Sequence, residues 1–365
     1  MTDIIVVGAG IVGSAIAYRL TCAGARVTVF DAGDRTPTTA TSFAWTNSNG
    51  KQPLAYHALN VAGMGEHLAL EMELGESRFH HHVGNVEWAI GEDEHQRVLD
   101  KVARLQGWAY PAELIDRATL RAIDPALVPP DDVEAIAFYP SEGYVDAVPL
   151  AAELLERARA AGATVHIGKT VVAVGPRVVS LSDGTRHPAD IVICAAGRWT
   201  GALVATSGFD IPMAPTRSCL GVTTPAPRLR TMLLSTAINL RPEGPDRMLL
   251  QNTRTDLQGD DPTPTIPKEK LDEFLLAPAR KVVRGFDGVQ IENAKLGIRA
   301  IPVDGHPVVG PVPDCEGLYV VCSHSGVTLA PFFARAVMRE LLDGETEHRL
   351  TPFRPERFCT TTTSS

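Results

Sequence analysis

The chain is poor in the features that mark metal-stapled, disulfide-bonded, nucleic-acid-binding or membrane-spanning proteins. It has only 6 cysteines in 365 residues, and no two stand in C-x-x-C spacing. That argues against structural zinc and against a disulfide framework. Several of these cysteines sit in apolar runs, where a free thiol packs as a small hydrophobe. Free thiols fit a reducing compartment, so a cytoplasmic location is expected. Basic runs are missing too. Lys and Arg total 34 against 43 Asp and Glu, a formal net charge of −9. Nothing here attracts a phosphate backbone, so no nucleic-acid partner is expected. The acidic balance speaks to solubility rather than to a cationic ligand. The apolar stretch 4–18 lacks a basic flank and is shorter than the ~20 residues a membrane helix needs. Neither a signal peptide nor a membrane span is read there, and no internal repeat is visible.

What is present is ordinary globular composition, 44% hydrophobic and 21% charged. At ~150 residues per domain, two domains are expected. The start of the chain carries the sharpest pattern. Residues 4–7 are a β-branched apolar run, the look of a parallel strand buried on both faces. Gly8-Ala9-Gly10-Ile11-Val12-Gly13 follows, then a helical stretch over 14–23, then a second strand over 27–30 that ends at Asp31. This is strand, G-x-G-x-x-G, helix, strand, acid. Gly8 permits a tight turn, Gly10 lets a pyrophosphate approach the backbone, and Gly13 lets helix and strand pack closely. The helix N-terminus offers N–H groups and partial positive charge to a phosphate. Asp31 is placed to accept from ribose hydroxyls, which disfavours a phosphorylated ribose. The motif by itself leaves NAD and FAD open.

Further along, 54–73 and 92–106 read as helices and 80–90 as extended chain. His80, His81 and His82 invite a metal. Consecutive strand residues point to opposite faces, so three in a row cannot all converge on one ion. No metal site is expected. Residues 113–124 read as a short helix, 148–161 as a longer one, and 165–195 as mainly strands. The stretch 209–287 loses this α/β rhythm. It reads as a separate, mainly antiparallel sheet with a helix over 268–276.

Near the C-terminus a strand over 318–322 leads through Ser323-His324-Ser325-Gly326-Val327-Thr328-Leu329-Ala330-Pro331 into a helix reaching 342. This second strand–turn–helix could aim its N–H groups at another electron-rich group. The pyrimidine end of a reduced flavin is such a group, which tilts the choice toward FAD.

Four segments together carry a family resemblance. They are the 6–13 turn with Asp31; Glu142-Gly143-Tyr144-Val145-Asp146-Ala147; Ala189-Asp190-Ile191-Val192-Ile193-Cys194-Ala195-Ala196-Gly197; and 297–310 leading to the 323–331 turn. With them the chain resembles the FAD-dependent D-amino acid oxidase superfamily, near glycine oxidase, sarcosine oxidase and D-amino acid dehydrogenase-like members. The resemblance implies an α/β fold with two lobes. A discontinuous Rossmann-like FAD lobe would use 1–78, 141–215 and 296–350. An interleaved α+β substrate lobe on a mainly antiparallel sheet would use 79–140 and 216–295, with 351–365 as a tail.

The resemblance also implies roles for particular residues. Gly8, Gly10, Ile11, Val12 and Gly13 would form the phosphate turn. Asp31, with Ala32 beside it, would take the ribose. Thr41 and Ser42 would lie near the pyrophosphate, Trp45, Thr46 and Asn47 along the flavin ring, and Val171 at the adenine. Gly197 would border the cofactor, and Gly326, Val327, Thr328 and Leu329 would face its pyrimidine end. Arg299 would clamp a substrate carboxylate with its planar fork. A plain ion pair with Glu292 or Asp304 is the alternative. His324 would border the active site, with a role that pH profiles would show. No cysteine lies at 297–302, so FAD is expected to be non-covalent.

The expected reaction is oxidation of an amino acid or N-alkylamino acid by hydride transfer from Cα to flavin N5, followed by imine hydrolysis. A 2-hydroxy acid substrate is one alternative. A dehydrogenase or flavin subunit that passes electrons to a carrier instead of oxygen is another. Oligomeric state stays open, a homo-oligomer included.

Overall fold

The computed structural model describes residues 1–33, 38–75, 78–252, 257–258 and 268–359. Strand β1 (Asp3–Val7) alternates its apolar side chains between two cores, Ile4 and Val6 to one, Ile5 and Val7 to the other. That is why every position from Ile4 on must be apolar. The chain turns at Gly8 into helix α1 (Ile11–Cys22) and returns as β2 (Arg26–Asp31), parallel to β1. These elements seed a six-stranded sheet in the order Val308–Pro311, Leu318–Cys322, Ile191–Cys194, β1, β2, Thr164–Ile167. All its neighbours are parallel except Val308–Pro311, which runs antiparallel to Leu318–Cys322. Helices α1, Ala147–Ala160 and Gly326–Met338 bury one face. A three-stranded antiparallel sheet, Val171–Gly175, Val178–Leu181 and Arg186–Pro188, packs on the other.

Beyond β2 come β3 (Trp45–Thr46), α2 (Leu54–Leu74) and β4 (His80–His81). Strands β3 and β4 pair with the two edges of Gly143–Val145. The second large sheet holds β5 (Asn85–Ile90), Glu113–Leu114, Val133–Tyr139, Thr216–Thr223, Met232–Leu234, Asn239–Glu243, Arg247–Gln251, Leu257–Gln258 and Ile291–Ile298. Its pairings are antiparallel except that of β5 with Met232–Leu234. Its core gathers Trp88, Leu233, Leu250 and Phe286.

Three local expectations need correction. The region expected as one helix over 113–124 splits into the strand Glu113–Leu114 and the helix Arg117–Ile123. The cause is Asp116, whose carboxylate accepts the Thr119 N–H at 2.7 Å and caps the helix there. The helix at 268 does not stop at 276 but continues to Val282 through a widened turn over 272–276. The tail expected from 351 is folded for its first part, with Phe353 buried and Arg354 donating to Val309 O at 3.1 Å. Residues 360–365, the end of that tail, lie outside the described residues. Among the described residues no helix is long and apolar enough to cross a membrane.

Candidate active site

A cavity of about 620 Å³ opens at the C-terminal ends of the parallel strands, where open α/β sheets bind ligands. Its first wall is the glycine turn. Gly8 has φ +105°, and a Cβ there would stand 2.6 Å from Ala195 O. A Cβ on Gly13 would stand 1.9 Å from Gly8 O. Both positions therefore exclude any side chain. Asp31 braces the turn, accepting the Ala9 N–H at 2.7 Å and the Gly33 N–H at 2.8 Å. Its carboxylate keeps further lone pairs for a ligand.

Of the residues expected to bind cofactor, Gly8, Gly10, Ile11, Val12, Asp31, Ala32, Ser42, Val171, Gly197, Gly326 and Val327 line this cavity. The others stand behind the wall or beside it. Gly13 closes α1 onto β1. Thr41 packs against Gly297, where a Cβ would stand 2.3 Å from Thr41 O. The loop residues that reach the cavity instead are Thr38, Thr39 and Ala40. Thr39 Oγ1 accepts the Ile11 N–H at 3.1 Å, and Thr38 Oγ1 donates to Ile298 O at 3.2 Å. Nothing in the sequence separated Thr38 and Thr39 from the other small polar residues of that loop.

The second wall is the 323–329 turn. The first N–H groups of a helix have no partner within it, which leaves those of Gly326, Val327 and Thr328. The Leu329 N–H is already donated to Ser325 O at 3.0 Å, and its side chain is core. Leu329 therefore supports the turn and does not face the cavity. Thr328 Oγ1 donates to Trp45 O at 2.9 Å and ties the turn to β3. Thr46 and Asn47 are buried beside it.

Arg299 follows strand Ile291–Ile298, and Ala300, next in the chain, lines the cavity. Arg299 donates its backbone N–H to Thr216 O at 2.9 Å and Nη1 to Thr216 Oγ1 at 3.0 Å. The acids weighed as its alternative partners are paired elsewhere: Glu292 with Arg247 at 2.6 Å, Asp304 with Arg357 at 2.7 Å. His324 lines the cavity and is solvent-accessible there. Surrounding protein lowers its pKa to about 3, first by desolvation and then by repulsion from Lys51 and Arg299. The lowered pKa favours the neutral imidazole near pH 7.

Lys51 is a residue the sequence did not single out. Its Nζ lies 5.6 Å from the Tyr56 ring centroid, and Tyr56 Oη is 2.7 Å from Ser325 Oγ in the second turn. Burial lowers the Lys51 pKa to about 8, with Glu142 opposing. Glu142 is a fully buried hub. It accepts from the Ser48 and Asn49 N–H groups and from Asn49 Nδ2, Asn85 Nδ2 and Tyr110 Oη. Burial pushes its pKa up, against the pull of those donors. It fixes the loop that carries Lys51.

A glycine turn at the C-terminal ends of a parallel sheet, with a second helix N-terminus lining the same cavity, fits a dinucleotide whose ring takes up negative charge. The family model for FAD dependent oxidoreductases (DAO) matches residues 3–340. This chain belongs to that family. The oxidoreductase is 27% identical to a glycine oxidase of Geobacillus kaustophilus (strain HTA426) over 374 residues, covering 96% of each chain. It is 24% identical over 371 residues to the hydrogen cyanide synthase subunit HcnC of Pseudomonas aeruginosa, covering 88% of this chain and 87% of that one. Among solved structures, glycine oxidase from Geobacillus kaustophilus matches its fold with a TM-score of 0.87 at 23% identity, over 98% of both chains. The oxidoreductase is thus an FAD-binding flavoprotein. The residues present fit FAD, with Gly8–Val12, Asp31, Gly326 and Val327 lining one cavity.

Proposed function

We propose that this oxidoreductase oxidises the C–N bond of a small amino acid or N-alkylamino acid, with Arg299 holding the substrate carboxylate. The carrying observation is Arg299 itself. It follows strand Ile291–Ile298 beside the cavity, next to the lining residue Ala300 and close enough to the lining residue His324 to repel its positive charge. The glycine oxidase likeness along 96% of the chain supports a small amino acid.

FAD, when bound non-covalently, supplies the acceptor for the two electrons of the substrate Cα–H bond. The chain's residues do the rest. Gly8–Gly13 and the α1 N-terminus hold the pyrophosphate, and Asp31 the ribose. The N–H groups of Gly326–Thr328 donate toward negative charge on the ring. Arg299 orients the carboxylate, and that positioning is worth several kcal/mol. His324, neutral, adds no further cation to Arg299 and Lys51 beside the amine. Oxygen is the proposed electron acceptor.

Turnover with glycine, sarcosine, larger amino acids and 2-hydroxy acids tests this, reading peroxide release and dye reduction in parallel. Peroxide formed from an amine substrate is the expected result. Dye reduction without peroxide would favour a carrier-linked dehydrogenase or subunit, a reading the HcnC likeness supports. Turnover of hydroxy acids alone would refute the C–N assignment.

A further inference from the structure

Helix α2 and strand β4 meet at a group of side chains that the proposed reaction does not use. His80, His81 and His82 alternate as extended chain must. The alternation sends only His81 away. Its Nε2 lies 2.8 Å from Asp146 Oδ2, and its ring stacks on Tyr144 at 4.4 Å. His80 and His82 share the other side, their ring centroids 3.9 Å apart. There they meet Glu71, from the end of α2. His82 Nε2 is 3.0 Å from Glu71 Oε2, and His80 Nδ1 is 3.8 Å from Glu71 Oε1. One ligand atom from each of the three residues lies within 4.8 Å of the other two.

The second observation is the state of His80. Its side chain is only 4% exposed. Its Nδ1 has no hydrogen-bond partner among the described residues. The other ring nitrogen, Nε2, lies 2.9 Å from Thr46 Oγ1 on β3. With the Nε2 proton directed at that hydroxyl, Nδ1 carries a lone pair. The lone pair faces a carboxylate oxygen across a gap too wide for a hydrogen bond. A buried ring nitrogen without a hydrogen-bond partner, set toward a carboxylate and a second imidazole, calls for an explanation, and a bound cation supplies one.

We propose that His80 Nδ1, His82 Nε2 and a Glu71 carboxylate oxygen form a site for zinc or a similar divalent transition metal. Two imidazoles and a carboxylate are a donor set such ions favour, with water completing the shell. Metal–ligand bonds near 2 Å require the three atoms to draw together by roughly 1 Å. His82, 40% exposed, has the freedom to make that adjustment. Thr46 gives His80 the outer hydrogen bond that orients a ligating imidazole. The cluster is also linked to the cofactor cavity. The His67 ring is 5.0 Å from His80, and its Nε2 is 2.8 Å from the Val327 carbonyl oxygen. A cation here pins β4 to α2 and braces the second wall from behind. The assignment does not rest on the substrate proposed above.

The test is calorimetric titration of the chelator-treated, FAD-loaded protein with zinc chloride. Wild type is compared with His82→Ala, Glu71→Gln and His81→Ala. Wild type should bind one equivalent of zinc. Affinity should fall at least tenfold in His82→Ala and in Glu71→Gln and hold in His81→Ala. The near-isosteric Glu71→Gln keeps the question answerable if His82→Ala fails to fold. Absence of a one-equivalent isotherm in wild type would overturn the assignment. So would wild-type affinity in the ligand variants, or an equal loss in His81→Ala.

Discussion

The two strand–turn–helix units that wall the cavity reach the same end by different means. The first, at 8–13, is held by the absence of side chains. Gly8 and Gly13 have no room for a Cβ, so sterics set the turn, and Asp31 and Thr39 only brace it. The second, at 323–329, is held by side chains from elsewhere. Ser323 Oγ accepts the Ser325 N–H at 3.0 Å, Tyr56 Oη meets Ser325 Oγ, and Thr328 Oγ1 reaches Trp45 O. Its glycine is not under the same constraint. A Cβ on Gly326 would meet Val12 Cγ2 at 3.4 Å, an ordinary contact. One turn is locked by its own residues and the other by its surroundings.

Substitutions can break this contrast. Gly13→Ala should have the largest effect. It drives a methyl into Gly8 O, costs on the order of 3 kcal/mol or more, and should yield protein that neither retains flavin nor melts at the wild-type temperature. Arg299→Ala comes next. Loss of a charge-paired carboxylate contact is worth about 2–5 kcal/mol, so kcat/KM for the amine substrate should fall by tens to thousands of fold while the flavin spectrum is kept. Unchanged kinetics would remove Arg299 from the site.

Lys51→Met should act on pH dependence. Lys51, with a pKa of about 8, is charged below that pH and neutral above it. In wild type, KM for a carboxylate substrate should therefore rise as pH passes 8, and the variant should lose that limb. His324, with its pKa near 3, should contribute no inflection around neutrality. Thr328→Val removes one buried hydrogen bond and should cost about 1–2 kcal/mol in thermal or denaturant unfolding. Gly326→Ala should do least, with flavin retention and melting close to wild type. A Gly326→Ala protein as damaged as Gly13→Ala would erase the distinction between the turns.

The same contrast explains what the sequence discloses. The first turn was legible because its chemistry is local: strand, glycines, helix and Asp31 are neighbours in the chain. The loss of α/β rhythm over 209–287 was legible in the apolar pattern, whereas the interleaving of two lobes came from the family resemblance. Thr38, Thr39, Lys51 and the Glu142 hub were not legible. Their roles arise from contacts across the fold, such as Glu142 to Ser48, Asn85 and Tyr110. Lys51 in particular sits in Gly50-Lys51-Gln52-Pro53, which reads as any surface loop. The histidine run shows a subtler gap. Alternation rightly separates His81 from its neighbours, but it also leaves His80 and His82 together. Only the position of α2 brings Glu71 to them.

The central claim is that this cavity holds FAD and presents it to an amine-bearing carboxylate. An anaerobic absorbance titration of the purified protein tests it most directly, with glycine, sarcosine and other amino acids set against 2-hydroxy acids. The account predicts a flavin spectrum that bleaches with an amino or N-alkylamino acid and recovers when air is admitted. A protein that cannot be loaded with FAD, or a flavin that only hydroxy acids reduce, would contradict it.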